Sequence, residues 1–331
     1  MSEQHVNKVT LVEAVNMALR RAMRDDPSVV VLGEDVGTNG GVFRATLGLR
    51  DEFGFKRVLD TPLAETMIGG LSVGMAAQGL KPVAEIQFLG FIYAAMEHVV
   101  SHAARLRNRT RGRLSCPLVI RSPMGAGIRA PEHHCESVEA MFAHIPGLRV
   151  VIPSSPARAY GLLLAAIDDP DPVIFLEPTR LYRMNPQVLE DTGQRLPLDT
   201  CFTLREGSDL TLISWGASVH ESLQAAAQLA EQGVSVEVID VACVKPLDLA
   251  TLEASVRKTG RCVIVHEAPR SCAVGAEIAS SLYERVWLEL LAPIQRVTAP
   301  DIPPPLFRME QHYLPQVADI VQACDDALNY A

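Results

Sequence analysis

The sequence predicts an α/β protein with a mostly parallel sheet and a second, smaller α/β domain. Short apolar runs alternate with segments of helical periodicity, as they do where crossover helices connect parallel strands. The length of 331 residues exceeds that of a usual single domain. After residue 179 the pattern gives way to prolines and scattered charges, which is typical of a linker. We therefore assign residues 1–190 to the first domain, 191–205 to the linker and 206–331 to the second domain.

Strands and helices alternate through the first domain. Thr10-Leu11-Val12-Glu13 matches a capping box, which predicts an amphipathic helix that ends before Asp25. Strands are predicted at residues 29–32, 57–59, 82–86, 118–120, 149–152 and 173–176, and further helices at residues 65–79, 91–108, 136–143 and 156–168.

The second domain repeats the alternation on a smaller scale. Strands are predicted at residues 210–213, 236–239, 262–265 and 294–297, and helices at residues 219–232, 275–291 and 315–330. Three consecutive prolines at 303–305 interrupt the pattern before the last helix.

Composition and charge restrict the class of partner. The formal net charge of -9 argues against a nucleic-acid or an anionic-membrane partner, and no apolar run is long enough to span a bilayer. The seven cysteines contain no C-x-x-C pair, as expected of reduced thiols. The polar N-terminus lacks the apolar region of a signal peptide. These features predict a cytoplasmic protein.

The stretch Asp60-Thr61-Pro62-Leu63-Ala64-Glu65 marks a junction between a strand and a helix. Pro62 breaks the extended chain, and Glu65 opens a helix rich in glycine and alanine. Open α/β sheets bind ligands in crevices at such junctions, so Glu65 is a candidate for chemistry. A carboxylate here also stabilises the helix N-terminus through the macrodipole. The position of Glu65 is compatible with both interpretations.

Two motifs point weakly to nucleotide or metal binding. Gly125-Ala126-Gly127-Ile128-Arg129-Ala130 has the spacing of a dinucleotide fingerprint. Pro131 interrupts where a long helix should begin, and the next strand lacks the ribose-binding acid, which argues against that function. His98 and His102 are spaced by one helical turn, but nothing supplies a tetrahedral ligand set, so packing is the favoured interpretation.

His134 is a loop imidazole close to a predicted helix start. Histidine titrates near neutrality and can transfer protons, which makes His134 a catalytic candidate. The alternative is a structural histidine whose ring nitrogens are satisfied by hydrogen bonds.

Taken together, these stretches resemble the β subunit of the thiamine-diphosphate-dependent decarboxylating component of 2-oxo acid dehydrogenase complexes, particularly that of bacterial pyruvate enzymes. The resemblance implies a pyrimidine-binding domain followed by a transketolase C-terminal-like domain. It covers nearly the whole chain, in blocks at residues 31–37, 60–65, 84–88, 120–123, 172–178 and 258–261.

The resemblance also implies roles for individual residues. Glu65 matches the glutamate that hydrogen-bonds to the cofactor's aminopyrimidine ring and shifts its tautomer. Phe91 matches the aromatic side chain that packs on this ring, and Leu63 and Gln87 lie nearby in the family. His134 matches the active-site histidine implicated in handing the acyl group to a lipoyl arm.

The chain has no Gly-Asp-Gly segment, which in this family lies on the α subunit and binds the diphosphate and magnesium. The resemblance therefore implies that this chain holds only the pyrimidine half of the cofactor. It also implies an α2β2 heterotetramer, inactive without the α subunit, that serves a lipoyl-bearing acyltransferase core. The implied reaction is oxidative decarboxylation of pyruvate with reductive acetylation of the lipoyl group.

Three points remain open at this level. Branched-chain 2-oxo acids or acetoin are alternative substrates, because one methylene in an apolar pocket discriminates only about 10- to 200-fold. A non-catalytic assembly subunit is the alternative from another class. The third point is whether this chain holds a potassium ion. Some relatives hold one, partly through backbone carbonyls, at positions matching Leu118, Ala166, Ile167, Asp169 and Asp171.

Overall fold

The computed structural model describes residues 8–130 and 133–330, and its contacts divide them into two compact units. The first unit contains the described residues up to Met124 together with Ile145–Leu198. The second unit contains Gly125–His144 and the chain from Asp199 onward. The segment 125–144, which the sequence placed in the first domain, is thus grouped with the second unit.

The helices and strands follow one another in the alternating order that the sequence predicts. Up to residue 198 they are β1 (Lys8–Val9), α1 (Leu11–Asp25), β2 (Val29–Gly33), α2 (Leu49–Phe53), β3 (Val58–Asp60), α3 (Glu65–Ala77), β4 (Lys81–Glu85), α4 (Leu106–Arg109), β5 (Val119–Met124), α5 (Glu139–Ala143), β6 (Arg149–Val151), α6 (Pro156–Asp168), β7 (Val173–Pro178) and β8 (Gln187–Val188). Beyond it they are β9 (Phe202–Arg205), β10 (Leu210–Ser214), α7 (Ser218–Glu231), β11 (Val236–Asp240), β12 (Cys243–Lys245), α8 (Leu249–Thr259), β13 (Cys262–Pro269), α9 (Val274–Val286), β14 (Gln295–Ala299), α10 (Phe307–Tyr313) and α11 (Val317–Leu328).

The sheet of the first unit is parallel, with its strands in the order β6-β7-β5-β4-β2-β3. Every residue of β2, β5 and β7 is buried, as expected of strands covered on both faces. The predicted capping box of α1 is confirmed, because the Thr10 and Glu13 side chains each accept a hydrogen bond from the other residue's backbone N–H. A short antiparallel pair, β1 and β8, lies apart from this sheet.

The second unit has a sheet in the order β14-β13-β10-β11-β9. The pairs among β10, β11, β13 and β14 are parallel, and β9 is antiparallel to β11. Residues 202–205, predicted as linker, form β9 because they pair with β11. Apolar residues of β10, β11 and β13 pack with α7 and α11 in a buried cluster that includes Leu212, Leu229, Val238 and Ile320.

The single helix predicted at residues 91–108 is wrong. The chain instead forms a 3-10 segment (Leu89–Ala95), a π-helical turn (Glu97–His102), a second 3-10 segment (Ala103–Arg105) and α4. A contributing cause is the Thr66 hydroxyl, which donates to the Ala94 carbonyl at 2.6 Å. In a continuous α-helix that carbonyl would accept the N–H of His98.

Two further differences concern the short helices. The helix α5 begins at Glu139, three residues later than predicted. The helix α10 follows the prolines at 303–305 and was not predicted. Within the described part of the chain, none of the helices has the length and hydropathy that a transmembrane span requires.

Candidate active site

The carboxyl ends of β2, β3 and β4 lie side by side and collect acidic residues. Gly33, the last residue of β2, is in register with both Asp60 and Glu85. Glu34 follows directly, and Glu65 is the first residue of α3, just beyond β3. The predicted junction is therefore a cluster of carboxylates at the ligand-binding edge of a parallel sheet.

Two of these carboxylates are paired with arginines. Asp60 accepts the backbone N–H of Gly37 at 2.5 Å and pairs with Arg50 at 2.6 Å. Glu85 is buried and pairs with the buried guanidinium of Arg121. Each carboxylate thus stabilises the local structure.

Glu65 and Glu34 differ from this pair. Glu65 is half-buried, and within residues 8–130 and 133–330 no basic side chain pairs with it. Glu34 is buried, and its Oε1 atom has no hydrogen-bond partner among the described residues. Burial, followed by the negative charges of Glu65 and Asp35, raises the pKa of Glu34. Glu65 and the Oε1 atom of Glu34 are therefore the carboxylate groups of this cluster that the described residues leave open to a ligand, and Glu65 is the more exposed of the two residues.

Apolar side chains lie close to Glu65 in the sequence and in the fold. Leu63 is 81% exposed, and Phe91 is half-buried on the 3-10 segment. The hydrogen bond from Thr66 to Ala94 joins the first turn of α3 to that segment. The half-buried Gln87 comes shortly before the same segment. The structure thus connects two stretches that carry Leu63, Glu65, Gln87 and Phe91 within the first unit.

A buried charge network underlies this edge. Arg121 donates through Nε and Nη2 to the two carboxylate oxygens of Glu177, at 2.7 Å each, and pairs with Glu85 through Nη1. Tyr182 donates to Glu177 at 2.6 Å. Burial opposes the charge of Arg121, but Glu177 and Glu85 outweigh it and raise the guanidinium pKa. The sequence blocks at 84–88, 120–123 and 172–178 each contribute one member, yet the sequence alone did not reveal the pairing.

An aromatic row leads from this network to the 3-10 segment. The Phe43 ring lies 4.9 Å from the ring of Tyr182 and 5.6 Å from that of Phe88. Phe88 in turn meets Phe91 edge to face at 5.8 Å. Such pairs fix ring orientation, so the row positions Phe91 from the buried side.

His134 lies in the second unit, on a loop closed at its base. The backbone N–H of Gly125 donates to the Glu136 carbonyl at 2.8 Å. Cys135 is buried beside Ala126 in an apolar cluster with Ala299, Tyr313 and Leu314. Burial raises the pKa of the Cys135 thiol to about 11, so this neighbour of His134 is a neutral packing group at pH 7.

Buried polar groups surround the base of this loop. The Trp215 indole N–H donates to Glu139 at 3.1 Å, and the indole ring stacks on His266 at 5.0 Å. Burial raises the pKa of Glu139 and is the main cause that lowers the pKa of His266 to about 4. His266 is therefore uncharged in the folded protein near neutral pH.

Acidification is expected to destabilise the second unit through His266. A histidine whose folded-state pKa is depressed makes its full contribution to the free energy of unfolding above the unfolded-state pKa of 6.5. It loses this contribution as the pH falls toward 4. The loss amounts to about 3 kcal/mol at pH 4. We expect His266→Gln to remove this dependence in denaturant unfolding measured between pH 7 and pH 4. Substitution of the exposed His312 by Gln is the control, and parallel curves for wild type and His266→Gln would contradict the expectation.

The residues predicted to hold potassium lie close together but are partly occupied. The Asp169 carboxylate pairs with Arg149 at 2.8 Å, and that of Asp171 pairs with Arg107 at 2.6 Å. The Leu118 carbonyl accepts the N–H of Val173 at 2.9 Å, and the Ala166 carbonyl accepts that of Asp169 at 3.3 Å. Ile167 is buried beside them in α6. The donor set suits a hard cation only through backbone carbonyls, each of which has a second lone pair.

The histidine pair His98 and His102 serves packing. Their ring centroids are 5.7 Å apart, and the His98 side chain lies against Gly69 and Gly70 of α3, where an added Cβ would come within 3.1–3.2 Å of it. In the described part of the chain, no group of three or more His, Cys, Asp or Glu residues is arranged to hold a metal ion.

Comparison with known proteins gives the family. The transketolase pyrimidine-binding domain matches residues 7–185, and the transketolase C-terminal domain matches residues 200–320. A split-gene transketolase, an inactive β4 tetramer, has a similar fold, with a TM-score of 0.77 at 23% identity over 97% of this chain and 99% of that one. The chain therefore belongs to the transketolase-like proteins built from these two domains, which confirms the predicted fold class.

Closer relatives refine this membership. The pyruvate dehydrogenase E1 component subunit β of Bacillus subtilis is 46% identical over 98% of this chain and 99% of its own length. That of Acholeplasma laidlawii is 48% identical over 93% of this chain and 94% of its own length. The chain belongs to the family of pyruvate dehydrogenase E1 component β subunits, and the resemblance drawn from the sequence is confirmed. This is a family of thiamine-diphosphate-dependent enzymes.

Proposed function

We propose that this chain is the β subunit of a pyruvate dehydrogenase decarboxylating component, which oxidatively decarboxylates pyruvate and reductively acetylates a lipoyl group. The observation that carries the proposal is Glu65, a half-buried carboxylate at the edge of the sheet with which no basic side chain of the described residues pairs. The names of the relatives support pyruvate as the substrate.

The residues around Glu65 fit the pyrimidine half of thiamine diphosphate. Leu63 and Phe91 provide apolar surfaces for a flat heterocycle, Gln87 provides an amide, and Glu65 can accept a hydrogen bond from a ring nitrogen. The coenzyme, when bound, supplies the electron sink for decarboxylation of a 2-oxo acid. Glu65 holds a proton at the ring nitrogen, and exclusion of water strengthens that hydrogen bond.

The surface around Glu65 supports a second polypeptide. Leu63, Met67 and Leu71 are exposed apolar side chains on and before α3, and contiguous apolar surface of this kind is typical of an interface. The sequence has no Gly-Asp-Gly segment for the diphosphate and magnesium. We therefore assign these groups to an α subunit in an α2β2 heterotetramer, with this chain inactive alone.

The remaining roles follow from the same assignment. His134 transfers the acyl group to the lipoyl arm of the acyltransferase core, and potassium, where bound, is held by backbone carbonyls near Leu118 and Ala166. The seven cysteines are free thiols, which supports a reducing, cytoplasmic location.

Reconstitution with the α subunit tests the proposed function. Neither chain alone should turn over substrate, whereas the complex with thiamine diphosphate and magnesium should decarboxylate pyruvate. We expect a kcat/KM for pyruvate at least about tenfold above that for 3-methyl-2-oxobutanoate or acetoin, within the range an apolar pocket provides. If the complex prefers 3-methyl-2-oxobutanoate or acetoin, that compound replaces pyruvate as the proposed substrate. A complex that is saturated with thiamine diphosphate and magnesium but inactive would favour the role of a non-catalytic assembly subunit.

A further inference from the structure

We infer that Glu267 is a positioning residue for His134, acting through the closed loop that begins at Gly125. The inference rests on the proposed acyl-transfer role of His134 and adds the group that holds it in place. Glu267 lies in β13 and contacts the loop within the second unit.

The first contact is at the start of the loop. The backbone N–H of Ala126 donates to the Oε1 atom of Glu267, and a hydrogen bond to an ionised carboxylate is stronger than one between neutral groups. Gly125 has a φ of +80°, and a Cβ atom added there would lie 2.5 Å from the same oxygen. Only glycine permits both this conformation and the close approach of the carboxylate.

The loop then transmits this contact to His134. Its base is closed by the hydrogen bond from Gly125 to Glu136, two residues beyond His134. Ala126 and Cys135, the residue next to His134, pack in one apolar cluster. The Cys135 thiol also lies 3.8 Å from the Ala130 carbonyl. A displacement of residues 125–126 therefore displaces the backbone at His134.

The residue preceding Glu267 helps to fix the other end of the loop. His266 stacks on Trp215, and Trp215 donates to Glu139 in the first turn of α5. Consecutive residues of β13 thus hold the entry and the exit of the segment that carries His134: His266 is in register with Thr298 of β14, and Glu267 lies at the irregularity that follows it. A transferring group needs support from its neighbours to keep its geometry.

The test compares two partial reactions of the reconstituted holoenzyme. Pyruvate decarboxylation is measured with an artificial electron acceptor, and reductive acetylation is measured with a lipoyl domain. We expect Glu267→Ala to lower the kcat of acetylation by about 10- to 100-fold, because small misplacements of a reacting group have effects of this size. Decarboxylation should fall far less, which also shows that the variant is folded. Glu267→Gln should lie between Glu267→Ala and wild type.

A double-mutant cycle with His134→Ala decides the mechanism. Glu267→Ala should add little to His134→Ala if both act through one group. Equal loss in both partial reactions, or full additivity, would overturn the inference. If His134→Ala leaves acetylation intact, the proposed role of His134 fails and the inference with it. If His134→Ala lowers acetylation but Glu267→Ala does not, the inference about Glu267 fails and the proposed role of His134 stands. The exposed Glu231→Gln is the matched control.

Discussion

Glu65→Gln is expected to lower kcat of the reconstituted enzyme by about 10²–10⁴-fold, the range in which a positioned proton-transferring carboxylate contributes. The amide has the same shape but cannot hold a proton at the ring nitrogen of the coenzyme. Glu65 is half-buried at the start of α3 and has no ion pair among the described residues. The fold should therefore survive, which circular dichroism and thermal unfolding would check.

Two comparisons make this result specific. Glu190→Gln changes an exposed carboxylate of the first unit and should leave kcat unchanged. Thiamine diphosphate affinity of Glu65→Gln, measured by equilibrium binding to the complex, should fall much less than kcat, because Leu63 and Phe91 are retained. An unchanged kcat in Glu65→Gln would refute the assigned role and revive the assembly alternative.

Arg121→Ala is expected to destabilise the chain by about 3–5 kcal/mol, the usual cost of removing one partner from a buried ion pair. The guanidinium is 1% exposed and pairs with the buried carboxylates of Glu85 and Glu177. Its removal leaves both carboxylates buried without a counterion. The measurement is denaturant unfolding followed by circular dichroism.

Arg107→Ala provides the contrast, because it removes a single pair on the surface. Arg107 and Asp171 approach to 2.6 Å, but their side chains are 45% and 38% exposed. Exposed pairs of this kind contribute about 0–1 kcal/mol. Equal destabilisation by the two substitutions would show that burial does not determine the strength of the Arg121 network.

Local patterns were sufficient to predict most of the elements and the position of Glu65. Consecutive residues determine the capping box of α1, the apolar runs of β2 and β7, and the break at Pro62. The resemblance then gives the carboxylate at position 65 its proposed role. Both kinds of inference depend on residues close together in the chain.

The features that escaped prediction depend on residues distant in the chain. Arg121 pairs with partners 36 and 56 residues away, and no periodicity reports such a contact. The hydroxyl of Thr66 alters the helix at Ala94 from another element. The burial of Glu34 has a signal in the sequence, because an acid directly after a fully buried apolar strand has few ways to reach water.

The grouping of residues 125–144 with the second unit sets a rule for recombining this chain with its relatives. A chimaera with a crossover only at position 198 would separate Ala126 and Glu139 from their hydrogen-bond partners Glu267 and Trp215. Exchange of residues 199–331 without residues 125–144 should yield hybrids that decarboxylate pyruvate but acetylate the lipoyl group poorly. Grafting both stretches together should transfer the acyl-handling character of the donor intact.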